Sequence, residues 1–208
     1  MADWGEIARR QQERSETAQG DVLRANAAYG AGLAQLMAGD TDRAREWFDR
    51  AVAAYHDSFA DAPPDSWGRP IATMKARLLA GESAEDEARW ALELGAAGAS
   101  TPIGRYAAAL ALLILGEDDQ ARVHADAIRT RDDFPSAVGD TLAMIAAGTD
   151  AIGYVEAIED VLQSFESRNE YLEDVAVADT VLVLARLAEQ RGLRADLESP
   201  LLPKRAAD

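Results

Sequence analysis

The chain has 208 residues, enough for one domain or two small ones around a substantial core. Hydrophobic residues at 48% and charged residues at 28% exclude a disordered chain, and the absence of cysteine excludes disulfide frameworks, thiolate metal sites and cysteine nucleophiles. The formal charge is −16, and neither half is basic (17 acids to 11 bases in residues 1–104, 20 to 10 in 105–208), which argues against a surface that tracks nucleic-acid phosphates.

Only two of the 21 basic residues are lysines, Lys75 and Lys204, and Asp outnumbers Glu by 21 to 16. Such a carboxylate-rich, lysine-poor chain resembles proteins from organisms that hold molar salt in the cytoplasm, where salt screens the repulsion among acids. A GC-rich genome, which also favours Ala, Arg and Asp, is the alternative source of this bias. The opening residues lack the basic and apolar regions of a signal peptide, and the longest apolar runs, 106–115 and 181–185, are too short to span a bilayer. The expectation is a cytoplasmic protein with no membrane partner.

Helix periodicity begins at once. Residues 3–18 are strongly charged and predict a lightly docked helix held by Trp4, Ile7 and Ala8. Asp21 is placed to cap a helix to residue 38 with Val22, Ala25, Tyr29, Leu33 and Leu36 at three- and four-residue steps. After Gly39-Asp40, a helix over 42–59 carries Ala44, Trp47, Phe48, Ala51, Val52 and Tyr55 on one face. The segment 61–65, Asp-Ala-Pro-Pro-Asp, is the clearest linker, so the organisation expected is 1–60 followed by 66–208 in one continuous array.

Further helices are expected over 67–80, then from Ser83 (with Asp86 completing a capping box) to 94, and from Thr101-Pro102 to 115. The remaining spans are 117–129, 136–147, 150–165 and 172–190, with 199–203 as an extended tail. No window alternates as a strand does. The fold class is therefore all-α, with about ten helices.

The helix breaks at Gly39, Gly81, Gly116 and Gly148 recur at intervals of 42, 35 and 32 residues. Two align well, Gly39-Asp40-Thr41-Asp42-Arg43-Ala44 and Gly116-Glu117-Asp118-Asp119-Gln120-Ala121. In each, glycine ends one helix, an acid starts the next, and alanine lets the two cross closely. A hairpin of this kind cannot bury its apolar face alone, so hairpins must stack. With Gly32, Gly39, Ala44, Phe48 and Ala51 in one unit and Gly116, Ala121 and Ile128 in another, residues 22–166 resemble degenerate tetratricopeptide (TPR-like) repeats. The resemblance implies stacked antiparallel hairpins, an α-solenoid whose concave face binds a partner segment. The family's early Trp and late Pro are missing. A second series resembles the helical immunity proteins of polymorphic toxin systems: Arg105-Tyr106, Leu115-Gly116, Asp133-Phe134-Pro135, Arg191-Gly192-Leu193 and Ser199-Pro200-Leu201-Leu202-Pro203.

No motif specifies catalysis, a metal or a cofactor. His56 and His124 lie in no HExxH and read as solvated surface histidines. Tyr29-Gly30-Ala31-Gly32 follows no strand and reads as helix packing rather than a dinucleotide loop. Polar residues within apolar helices carry more. Arg105, Asp179 and Arg186 must reach solvent or pair with one another, as a structural ion pair or a polar lining.

Ten residues before the turn glycine stand Tyr29 and Tyr106, so the TPR-like alignment puts both on the concave face with Asn26, Leu33, Ile71, Lys75, Ile103 and Leu110. Tyrosine offers area and a hydrogen-bonding tip at low entropic cost, which suits peptide recognition; packing between hairpins is the structural alternative. Three functions stay open: a non-enzymatic adaptor binding a protein or peptide, a toxin-neutralising immunity protein covering a basic site, and a carboxylate-based hydrolase. Trp47, Phe48, Tyr55 and Phe59 exceed what one flanking helix covers, which leaves room for a homodimer contact.

Overall fold

The computed structural model describes residues 2–204 and is all-helical, with ten α-helices and no strand among the described residues. They are α1 (Trp4–Thr17), α2 (Asp21–Ala38), α3 (Thr41–Phe59), α4 (Gly68–Ala80), α5 (Glu85–Glu93), α6 (Pro102–Ile114), α7 (Asp118–Arg129), α8 (Ser136–Ala147), α9 (Ala151–Glu166) and α10 (Asp179–Glu189). The helix starts follow capping chemistry. Asp3, Asp40, Thr101 and Asp150 each accept a hydrogen bond from the backbone N–H three residues on, at 2.9–3.3 Å. Gly39, Gly81, Gly116 and Gly148 all take positive φ, which closes one helix and turns the chain into the next.

From α1 to α9 each helix packs on its successor, so the array is built from neighbours in sequence. A second set of contacts, α4 with α6 and α6 with α8, lines up alternate helices along one side. Across that side lies α10, touching α4, α8 and α9. The segment 61–65 is a turn in which Asp65 receives the Trp67 indole N–H at 3.1 Å, and α3 packs against α4 across it.

Four local expectations are corrected. Residues 3–18 form a firmly seated helix rather than a lightly docked one: Ala8, Gln11 and Ser15 are buried against α2, and Trp4 and Ile7 pack half-buried on the same core. Asp21 is the first residue of α2, paired with Arg24, while Gly20 occupies the cap. Ser83 and Asp86 form no capping box: Ala84 is the cap, and Asp86 turns to Arg89. The last helix begins at Asp179, not at 172. Glu173 and Asp174 have φ of 55° and 58°, and Val175 and Val177 are buried from an extended segment. Val-Ala-Val-Ala satisfies both periods, as a short apolar run can, and here the extended one wins.

The aromatic face of α3 is also accounted for within the chain. Trp47, Phe48 and Tyr55 are buried between α2 and α4, and the half-buried Phe59 meets Trp90 edge-on, so most of this aromatic face is covered within the chain. The tail folds back as well: the Leu201 carbonyl accepts a 3.0 Å hydrogen bond from the Ala178 N–H, and Leu201 is buried. At the far end of α10, Arg191 pairs with Asp118 and donates to the Leu113 carbonyl at 2.7 Å.

Candidate functional site

The strap 173–178 and the first turn of α10 run across the side formed by alternate helices, and this decides what becomes of the expected concave face. Asp179, the first residue of α10, is set down among α2, α4 and α6. Its Oδ2 accepts from the Lys75 ammonium at 2.6 Å and from the Tyr29 hydroxyl at 2.8 Å. Lys75 also donates to Thr180 Oγ1 at 3.1 Å, and the Thr180 hydroxyl makes a longer contact to Asp179 Oδ1 at 3.4 Å. Both partners of the ion pair are buried.

Burial alone would raise the Asp179 carboxyl. The Lys75 charge, together with hydrogen bonds from Lys75, Tyr29 and the Thr180 backbone, outweighs it and holds the group below the usual carboxylate range. The same burial, reinforced by the Asp179 charge and hydrogen bond, pushes Tyr29 well above an ordinary phenol. Tyr106 is raised mainly by burial and then by Asp179. Its hydroxyl is sealed from solvent without a hydrogen-bond partner of full geometry. Asp179, Lys75 and Tyr29 therefore form a fixed acceptor and its donors.

Above this floor a cleft of about 260 Å³ remains open. Leu33 of α2, Ile103 and Tyr106 of α6, Phe134 and Val138 around the start of α8, and Phe165 of α9 form its walls, and Val175 and Val177 close it from the strap side. Lys75, Asp179 and Thr180 reach it from below, and Arg168, its guanidinium 3.7 Å from the Phe165 ring centroid, stands at the mouth. The Tyr106 and Phe134 rings lie 5.7 Å apart.

Of the eight residues placed on the concave face, Leu33, Lys75, Ile103 and Tyr106 line this cleft. Tyr29 lies beneath it, fully covered by the strap and its neighbours. Ile71 and Leu110 are core residues. Asn26 faces α3, accepting a 2.8 Å hydrogen bond from Tyr55. Of the two alternatives for Arg105, Asp179 and Arg186, pairing with one another is not made, and Arg186 reaches solvent. Arg105 is half-buried and its charge acts on His124, Arg186 is exposed beside the Gly81 turn, and Asp179 takes Lys75 instead.

The two histidines differ. His56 is partly exposed, 2.6 Å from Glu87 and stacked on Trp90, whereas His124 is buried with Nδ1 unpartnered, which corrects its reading as a solvated residue. Among the described residues no three His, Asp or Glu side chains gather as a metal-binding set. Of the described carboxylates Asp179 alone lines the cleft, so the raised-pKa pair of a carboxylate hydrolase is not found there.

Sequence reasoning missed the rest of the cleft: Phe134, Pro135 and Val138 at the start of α8, Phe165, Arg168 and Tyr171 from the end of α9 onward, and Val175, Val177 and Thr180 of the strap and α10. Phe134 stood out only in the series that resembles immunity proteins, with no role attached, and the strap valines were hidden inside an expected helix. No family model, no curated protein and no solved structure matches the chain.

Proposed function

We propose that this chain is a non-enzymatic, TPR-like protein-interaction module that takes hold of a partner protein at the cleft left open on its concave side. The observation that carries the reading is convergence. Leu33, Lys75, Ile103 and Tyr106, drawn from three different helices by one repeat alignment, meet at one cleft with apolar walls and a hydrogen-bonding floor. Anchor pockets in protein interfaces have this composition. The dense surface acids suit a salt-rich cytoplasm, where apolar contact supplies most of the affinity. They also favour a partner that brings basic residues to the rim. A recess carrying Glu159, Asp160, Glu166, Asp196 and Glu198 lies at the α9–tail junction. This acidic recess supports the second reading, a toxin-neutralising immunity protein whose acidic face covers a basic active site.

The test is capture by tagged chain in molar KCl, comparing wild type with Ile103→Glu in the cleft wall and Ile152→Glu, an exposed control outside it. The expected result is one stoichiometric partner, retained by wild type and Ile152→Glu and lost by Ile103→Glu. A partner indifferent to Ile103→Glu, or none at any salt concentration, overturns the reading.

A further inference from the structure

We infer that the anchor received by the cleft is a tyrosine side chain of the partner, its ring held by the apolar walls and its hydroxyl completing the Lys75–Asp179 pair. The inference rests on the proposed protein-binding role and specifies what enters.

Size comes first. A cavity of roughly 150 Å³ already accepts benzene, so about 260 Å³ holds a six-membered ring with a substituent and the methylene that joins it to a backbone. The walls are aromatic rings and branched aliphatics, Phe134, Phe165, Val138 and Ile103 among them. Such walls favour a flat apolar body.

The floor then selects the polar end. Asp179 Oδ2 is saturated by Lys75 and Tyr29, but the other oxygen, Oδ1, is held only by Thr180. The Lys75 ammonium has three protons, two of them directed to Asp179 and Thr180. One acceptor and one donor therefore remain side by side within a neutral ion pair. An incoming carboxylate would face Asp179, and an incoming ammonium would face Lys75. A hydroxyl can donate to the first and accept from the second without charge. The chain supplies its own precedent, since the Tyr29 phenol already donates to this carboxylate from the opposite side at 2.8 Å.

The test uses p-cresol and toluene, which differ only in the hydroxyl, and the capped peptides Ala-Ala-Tyr-Ala-Ala and Ala-Ala-Phe-Ala-Ala. Each is titrated into the full chain and followed by amide resonances of Tyr106, Val138 and Thr180. p-Cresol and the tyrosine peptide should shift these resonances at millimolar concentration. Their counterparts should bind at least about tenfold more weakly, the loss expected when hydrogen bonds to charged groups are forgone. Ile103→Trp, which fills the cleft from its rim and leaves the ion pair untouched, should abolish both shifts.

Equal binding of toluene and p-cresol, or shifts that survive Ile103→Trp, would overturn the inference. So would binding of p-cresol with exclusion of the tyrosine peptide, which would make the ligand a free phenol. If all probes fail while Ile103→Glu still releases a captured partner, the tyrosine anchor is wrong and the protein-binding role stands.

Discussion

The Lys75 ammonium and the Asp179 carboxylate lie 2.6 Å apart, a buried ion pair that fixes the first residue of the last helix against the middle of α4. Removing one member strands the other in a medium that solvates it poorly. Asp179→Ala should cost about 3–5 kcal/mol in urea-induced unfolding, with Tyr29 losing its acceptor as well. Replacing both, Lys75→Met with Asp179→Leu, should recover the part of that loss that comes from the stranded ammonium, because an apolar pair of similar size carries no desolvation penalty, while Tyr29 stays without its acceptor. If the double variant is no more stable than Asp179→Ala, the pair is not the source of the effect.

Acid stability should fall in two stages. The His124 imidazole is pushed below its ordinary value, first by burial and then by the Arg105 charge, so the unfolded chain takes up its proton before the folded chain does. Its contribution is complete above about pH 6.5 and drains as pH falls toward the lowered folded value. Asp179 is also depressed, and its contribution is complete above about pH 3.9 and lost beneath it. His124→Gln should therefore flatten the urea midpoint between pH 7 and 5 while leaving the decline below pH 4. An unchanged slope between pH 7 and 5 would dismiss His124 as its cause.

The helix inventory was legible because it rests on local signals. Asp40, Thr101 and Asp150 each carry an oxygen that caps a helix three residues on, and Gly39, Gly81, Gly116 and Gly148 each sit where φ must be positive. The cleft was legible only in part: the repeat alignment reached Leu33, Lys75, Ile103 and Tyr106, since all four belong to α2, α4 and α6. It could not reach the strap. Whether Val175-Ala176-Val177-Ala178 coils or extends depends on groups distant in sequence, namely Gln11 holding the Glu173 carbonyl and Leu201 holding the Ala178 N–H. The same non-local docking turned Tyr29 from a surface into a buried donor.

Close helix crossings predict a reversal of the usual glycine rule. Within a helix Gly→Ala ordinarily stabilises by up to about 1 kcal/mol. At Gly139 of α8, however, an added methyl would stand 2.8 Å from the Arg129 backbone nitrogen of α7, which cannot swing aside. Gly139→Ala should instead destabilise by about 1–3 kcal/mol, the range of overpacked cores. Gly68→Ala, where nothing lies within 4 Å, should be neutral or favourable. Thermal melts of the two variants check the contrast, and equal melting temperatures would refute it.

The strap is held against its own backbone preference. Glu173 and Asp174 are both left-handed, at a cost of roughly 1–2 kcal/mol for each L-residue. Two contacts from α1 oppose that cost: Gln11 Nε2 donates to the Glu173 carbonyl at 2.6 Å, and Arg14 meets the Glu173 carboxylate at 2.9 Å. Gln11 is wholly buried, so Gln11→Ala leaves a carbonyl unpaired and should lower the local opening energy of the strap by about 1–3 kcal/mol. Hydrogen exchange at the Val175 and Val177 amides should accelerate, while α6 and α7 keep their protection. Asp174→Gly added to that variant should restore some of the protection, because glycine accepts positive φ without steric cost. Exchange at the strap unchanged by Gln11→Ala would mean that burial of the two valines alone holds it in place.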